Sequence, residues 1–299
     1  MKNYTASKIE NIIFHTVNTL FLLLISFITL YPFWNTIAVS VNEAMDTIRG
    51  GITFLPRKFT MYNYEVLFRT DAIPRAFLVS VARTLINLVT SVFFTAMIAF
   101  ALSRQEFVLR KPLTFILVLS MYVNAGLIPT FLLIRNLGMY NSFWVYIVLG
   151  IVNAFNFVVM RTYMRSIPES IIESARIDGY GDFYIFVRII LPLCLPVLAT
   201  IGLFVAVGAW NSWFDTMVYN SGNTRLHTLQ YKLMEYLQSS QTQGRTAADA
   251  MSLSYQQNTV TPMSIRAAIT VIASVPILVV YPFMQRFFVV GLNVGGVKE

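Results

Sequence analysis

Residues Ser166 to Pro196 read Ser-Ile-Pro-Glu-Ser-Ile-Ile-Glu-Ser-Ala-Arg-Ile-Asp-Gly-Tyr-Gly-Asp-Phe-Tyr-Ile-Phe-Val-Arg-Ile-Ile-Leu-Pro-Leu-Cys-Leu-Pro. Ser166-x-x-Glu169 has the spacing of a capping box, and Pro168 suits a first helical turn. Ile167, Ile171, Ile172 and Ala175 then share one helical face, while Glu169, Glu173 and Arg176 point elsewhere. Asp178-Gly179 is a helix stop, because glycine takes the left-handed conformation that ends a helix. A second short amphipathic segment runs from Asp182 to Arg188. The stretch therefore predicts helix, turn, helix, with an apolar knob on a polar rim of the kind that docks into a partner's groove. Four acidic and four basic residues lie between Arg161 and Arg188, so the stretch has no net charge. That favours a protein-docking surface over a lipid anchor.

On either side the chain is apolar. Runs of apolar residues occupy 12–41, 77–102, 112–134, 143–164, 189–210 and 265–290, each long enough to cross a hydrocarbon core of about 30 Å as a helix. In lipid only helices and closed barrels satisfy their backbone hydrogen bonds, and barrel strands alternate where these runs do not. The expectation is an all-α polytopic membrane protein, one transmembrane domain over 1–299 with six transmembrane helices. Prolines within the runs predict kinks. The stretch 165–188 forms one connecting loop; 42–76 and 211–262 form two longer ones on the opposite side. The first run is too long for a signal peptide's apolar core.

Composition agrees. Hydrophobic residues make up 56% of the 299 and charged residues 12%, against about 45–50% and about 25% in soluble domains. The single Cys194 excludes a disulfide framework, and two histidines, His15 and His227, cannot build a multi-histidine metal centre. No metal ligand set and no catalytic residue is expected. Nucleotide-binding and metalloprotease motifs are missing from the sequence. The net charge of +8 fits cytoplasmic loops rather than nucleic acid. Lys2, Lys8, Arg104, Arg110, Lys111 and the basic residues of 161–188 fall on one side, which puts both termini in the cytoplasm.

Glu173-Ser174-Ala175, three residues, Gly179, nine residues, then Ile189-x-Leu191-Pro192 resembles the EAA loop of ABC importer permeases, between the fourth and fifth of six spans. Ser174 departs from that pattern by one small residue. The whole chain is similar to the carbohydrate-uptake class that includes the smaller maltose-system permease. Gly50-Gly51-Ile52-Thr53-Phe54-Leu55-Pro56-Arg57-Lys58-Phe59, Gly126-Leu127-Ile128-Pro129-Thr130 and Tyr281-Pro282-Phe283 resemble a subgroup associated with polysaccharide-derived oligosaccharides, including uronate-containing ones.

The resemblance implies the type I ABC importer permease fold in a bacterial cytoplasmic membrane, working by alternating access. It implies a second permease in a heterodimer, two ATPase subunits carrying ATP and magnesium, and an extracytoplasmic sugar-binding protein. No cofactor is expected on this chain. Glu173 would make a polar contact in the ATPase cleft, Ala175 would be the close-packed small residue with Ser174 beside it in the coupling set, Gly179 the turn, and Asp178 part of the turn or of the contact. The second half of the 211–262 loop would reach the binding protein, and the tail from Gly291 to Glu299 would touch the ATPase.

Polar and aromatic residues in or beside apolar spans are candidates for a solute pathway, because polar groups are costly in lipid. Asn87, Tyr122, Asn124, Asn153, Asn156, Trp210, Asn211 and Trp213 stand out. Arg83 reads as an outer-interface residue rather than a deep clamp, although an acidic sugar would make it of interest. A peptide or polyol remains an alternative solute. A secondary transporter is a weaker one, since the spans hold almost no carboxylates.

Overall fold

The structure, a computed structural model, describes residues 2–69, 71–243 and 260–291. Among these, regular structure is helical, with one isolated antiparallel bridge between Asn42 and Phe59. Residues 244–259, within the expected binding-protein loop, and the tail beyond Gly291 lie outside the described residues. The chain divides into two compact units, one drawn from 1–70 and 235–272, the other from 71–234 and 273–299.

The first unit begins with α1 (Lys2–Ser40), 39 residues long and so about 58 Å at 1.5 Å per residue. Ile13, Leu20, Phe21, Leu24, Phe27 and Ile28 are all exposed on it. A helix apolar on every side is suited to lipid or to a membrane partner. The loop after it is pinned back onto it. Trp34 Nε1 donates to the Phe54 carbonyl at 2.6 Å, and Asn35 Nδ2 to the carbonyls of Ile52 and Thr53 at 2.8 and 3.0 Å. Gly50 and Gly51 have φ of 70° and 76°, which glycine adopts without steric cost. The turn they make lets Arg57 fold back, donating from Nε to Asp46 at 2.9 Å and from Nη2 to the Gly50 carbonyl at 2.6 Å. Short helices α2 (Ala44–Ile48) and α3 (Tyr62–Arg69) complete this region.

In the second unit α4 (Ala72–Ser103) is the long member. It is followed by α5 (Arg110–Leu119), α6 (Leu127–Asn136), α7 (Val145–Val148), α8 (Ala154–Arg165), α9 (Glu169–Ile177) and α10 (Asp182–Ile185). A π-helical turn, Phe186–Ile190, leads to α11 (Leu191–Leu193) and then α12 (Leu195–Asn211), α13 (Phe214–Tyr219), a 3-10 turn Thr224–Leu226 and α14 (Leu229–Gln243). The last helix, α15 (Pro262–Gly291), carries Pro276 and Pro282.

The six apolar runs do not give six unbroken helices. Glu10–Ser40, Ala72–Ser103 and Pro262–Pro282 are each long and apolar enough to span alone; Asp182–Leu193 with Leu195–Asn211 makes a fourth candidate, bent by 84°. The third run is interrupted at 120–126, where Gly126 takes φ 89°, and Pro129 in the first turn of α6 has no N–H to continue a helix. The fourth run breaks before Asn153, whose side chain accepts from the Asn156 N–H and so starts α8 afresh. The fifth breaks at Cys194, just before Pro196. Apolarity marks where chain can enter lipid and carries no information on whether a helix continues.

The capping box is also corrected. Ser166 closes α8, its Oγ donating to the Tyr163 carbonyl at 2.7 Å. Pro168 is the N-cap of α9 and no side chain caps that end. Proline disfavours a helical residue before it, so Ile167 separates the two helices.

Candidate functional site

Two sites emerge in the second unit. The first is the surface of α9 and α10. Ile172 and Ala175 are 1% and 6% exposed and pack into one core with Phe100 and Leu102 of α4, Met160 and Met164 of α8, Ile185 and Phe186. Of the apolar face that the sequence assigns to a partner's groove, Ile172 and Ala175 are therefore covered by the chain itself, while Ile171 stays exposed. A helix of nine residues is marginal alone, and this burial holds it in place.

Its end is a Schellman motif. Tyr180 N–H donates to the Ala175 carbonyl at 3.1 Å and Gly179 N–H to the Arg176 carbonyl at 2.9 Å. Gly179 has φ 87°, which a Cβ would strain. Arg176 ties the element down: Nη1 donates to both Glu106 oxygens at 2.6 and 2.7 Å, and Nη2 to Asp182 at 3.0 Å. These bonds, Glu106 foremost, raise its pKa further.

Glu173, Ser174, Asp178 and Gly179 are exposed beside this core. Ser174 Oγ donates to the Ser170 carbonyl at 2.8 Å. The apolar surface left open extends beyond Ile171 of the expected face. Ile177 is 86% exposed, Phe183 67%, and Tyr180 stacks on Tyr184 with centroids 4.4 Å apart. Ile177 lies off the Ile172–Ala175 stripe, which is why periodicity passed it over.

The second site is a cavity of ≈ 650 Å³ lined from α4, the 146–156 segment, α12 and the turn into α13. Arg83, Asn87 and Ser91 line it. With Thr95 they recur every fourth residue on the buried face of α4, which places them one above another. Arg83 Nε, Asn87 Oδ1, Ser91 Oγ and Thr95 Oγ1 are buried without a hydrogen-bond partner among the described residues. Each such group costs about 1–3 kcal/mol, so four in a line are unusual in a packed helix.

Arg83 is 3% exposed and sits about 17 Å from the start of α4, well inside the helix. It is buried against its own chain. Its Nη2 donates to the Asp215 carboxylate, Nη1 donates to the Ser212 carbonyl at 3.2 Å, and the guanidinium lies 4.5 Å from the Tyr146 ring centroid. Asp215 also accepts from Ser212 Oγ at 2.8 Å. Tyr146 is fixed in turn, its hydroxyl donating to the Leu226 carbonyl at 2.8 Å and its carbonyl accepting from Asn87 Nδ2 at 2.9 Å.

Of the expected pathway residues, Asn87, Asn153 and Asn156 line the cavity. The others do not. Tyr122 is 81% exposed, and Asn124 Oδ1 accepts from Gly126 N–H at 2.9 Å, shaping the turn. Trp210 donates to the Ala273 carbonyl at 2.9 Å, Asn211 accepts from Gln230 at 3.2 Å, and Trp213 meets Phe214 edge to face. Ser91, Tyr146 and Asp215 are cavity residues that sequence reasoning missed, and Arg83 is one it named without placing in the pathway.

A helical membrane chain with a buried polar track and a rigidly anchored helix-turn-helix surface has the features of a solute-translocating subunit. Residues 96–294 match the family described as binding-protein-dependent transport system inner membrane component, and the chain belongs to that family. It is 35% identical over 278 residues, 93% of this chain and 96% of the relative, to the polygalacturonan/rhamnogalacturonan transport system permease protein YtcP of Bacillus subtilis (strain 168). It is 34% identical over 287 residues, 96% of this chain and 95% of the relative, to protein LplC of the same strain. A chain in the crystal structure of a bacterial ABC transporter involved in the import of the acidic polysaccharide alginate superposes with a TM-score of 0.82 at 29% identity, covering 92% of this chain and 96% of that one. The fold is accordingly that of an ABC importer permease.

Proposed function

We propose that this chain is the permease subunit of an ATP-driven importer for oligosaccharides released from polysaccharides, with uronate-containing chains as the preferred cargo. The observation that carries the reading is the polar wall that Arg83, Asn87 and Ser91 of α4 give to a cavity in a permease-family chain. Sugars need many hydrogen-bond partners in a site that is otherwise dry. The named cargoes of YtcP and of the alginate transporter support the acidic class.

In this reading the chain pairs with a second, different permease. Two ATPase subunits, holding ATP and magnesium, bind on the cytoplasmic side against Glu173, Ser174, Ile177, Asp178 and Tyr180. An extracytoplasmic binding protein delivers the sugar. Both termini are cytoplasmic and the membrane is the bacterial cytoplasmic membrane. Because α9 shares a core with α4, α8 and α10, a displacement of α9 by the closing ATPases moves the cavity wall. The test is purification of the tagged chain from membranes in detergent. The expected result is co-elution of an ATPase and a second permease, with ATP hydrolysis raised by sugar-loaded binding protein. Elution of the chain alone, with no nucleotide hydrolysis, refutes the reading.

A further inference from the structure

We infer that Arg83 is the group that recognises a substrate carboxylate, taking it in exchange for the carboxylate of Asp215. The inference rests on the sugar-importer reading and names the residue that would select acidic cargo. Among the described residues lining the cavity, Arg83 is the one cation and Asp215 the one anion. Their pairing leaves the cavity neutral at rest. A neutral ligand cannot part them without leaving a buried guanidinium uncompensated. An incoming carboxylate can, because one anion replaces another on the same donors.

The two partners are supported unequally, and in the direction the exchange needs. The Arg83 side chain is 4% exposed and that of Asp215 25%, so Asp215 can turn to water and Arg83 cannot. Asp215 keeps the Ser212 hydroxyl at 2.8 Å. Arg83 keeps the Ser212 carbonyl and the Tyr146 ring, which hold a cation without neutralising it. Its Nε–H is enclosed and has no partner among the described residues, so it adds a second donor for the two-point grip that guanidinium groups give carboxylates only if the side chain turns as Asp215 leaves. Asn87 and Ser91 follow one and two turns along α4 and line the same cavity, while Asn87 Oδ1 and Ser91 Oγ themselves are enclosed. The cavity wall thus carries one charged group followed by neutral polar residues.

The test uses the complete transporter in proteoliposomes, with trigalacturonate and its trimethyl ester as probes and uptake KM as the readout. Asp215→Asn removes the resident competitor, and its KM for trigalacturonate is expected to fall roughly tenfold. The double variant Arg83→Gln with Asp215→Asn keeps the cavity neutral; its KM for trigalacturonate is expected to rise roughly 10- to 100-fold, the loss of a charged hydrogen bond, and its preference for the acid over the ester to be lost. Arg83→Lys restores part of the acid uptake. An Asp215→Asn variant whose KM is unchanged or higher overturns the inference, as does a double variant that still prefers the acid as wild type does. Wild-type protein that imports neither probe instead refutes the uronate-importer reading, a failure separate from that of Arg83.

Discussion

Arg176 donates to both oxygens of Glu106, 70 positions away, at 2.6 and 2.7 Å, and so fastens α9 to the loop that follows α4. Arg176 is one-third exposed and Glu106 two-thirds, a setting in which an ion pair contributes only about 0.2–1 kcal/mol. The hydrophobic core under Ile172 and Ala175 holds the helix; the ion pair fixes its direction. Arg176→Ala is expected to reach the membrane at wild-type levels and to raise the ATP consumed per sugar imported. High salt should loosen wild type in the same sense, since exposed pairs are screened. Paired ATPase and uptake measurements check both.

Gly179 sets the turn after α9 at φ 87°. A residue with a Cβ costs about 1–2 kcal/mol there, and asparagine tolerates the conformation better than alanine. Proline, locked near −65° and lacking the N–H that reaches the Arg176 carbonyl, is worst. The expected order of uptake at equal membrane level is wild type, Gly179→Asn, Gly179→Ala, Gly179→Pro.

Gly150 makes room for Asn87. A Cβ at 150 would lie 2.9 Å from Asn87 Oδ1, and Asn87 is held by its bond to the Tyr146 carbonyl. Gly150→Ala is expected to displace Asn87 and to cost about 1–3 kcal/mol in overpacking. Adding Asn87→Ala should recover thermal stability while leaving uptake low. Thermal melting and uptake, measured on the single and double variants, separate the two effects.

Asp46 in the 42–76 loop has its pKa lowered, first by the Asn42 amide at 3.0 Å and then by Arg57. A depressed carboxylate stabilises the folded loop fully above its unfolded value of about 3.9 and loses that contribution as pH falls through the lower folded value. Protection of this loop from proteolysis is expected to be flat between pH 5 and 8 and to fall below about pH 4. Asp46→Asn should remove the acid-dependent step.

Much of this was legible in order along the chain. Asp178 and Gly179 announce their turn by type and spacing, and the loop lies between two apolar runs. The breaks inside those runs were not legible, because Gly126, Asn153 and Cys194 interrupt the helix without interrupting hydropathy. The apolar face of α9 was seen, but what covers it is set by Phe100, Met160 and Met164, distant in sequence. What buries Arg83 was not legible for the same reason. Its partner Asp215 lies 132 positions on, in a segment that reads as a polar connection, and a charge is assigned to an interface until its counter-ion is found.

On the function proposed above, this permease carries acidic oligosaccharide at the expense of ATP. Proteoliposomes holding the whole transporter, loaded binding protein outside and ATP trapped inside, give the most direct measurement: accumulation of labelled trigalacturonate. The account predicts accumulation against a gradient that requires both ATP and the binding protein and is abolished by a non-hydrolysable nucleotide. Accumulation driven by a proton or sodium gradient without ATP would contradict it.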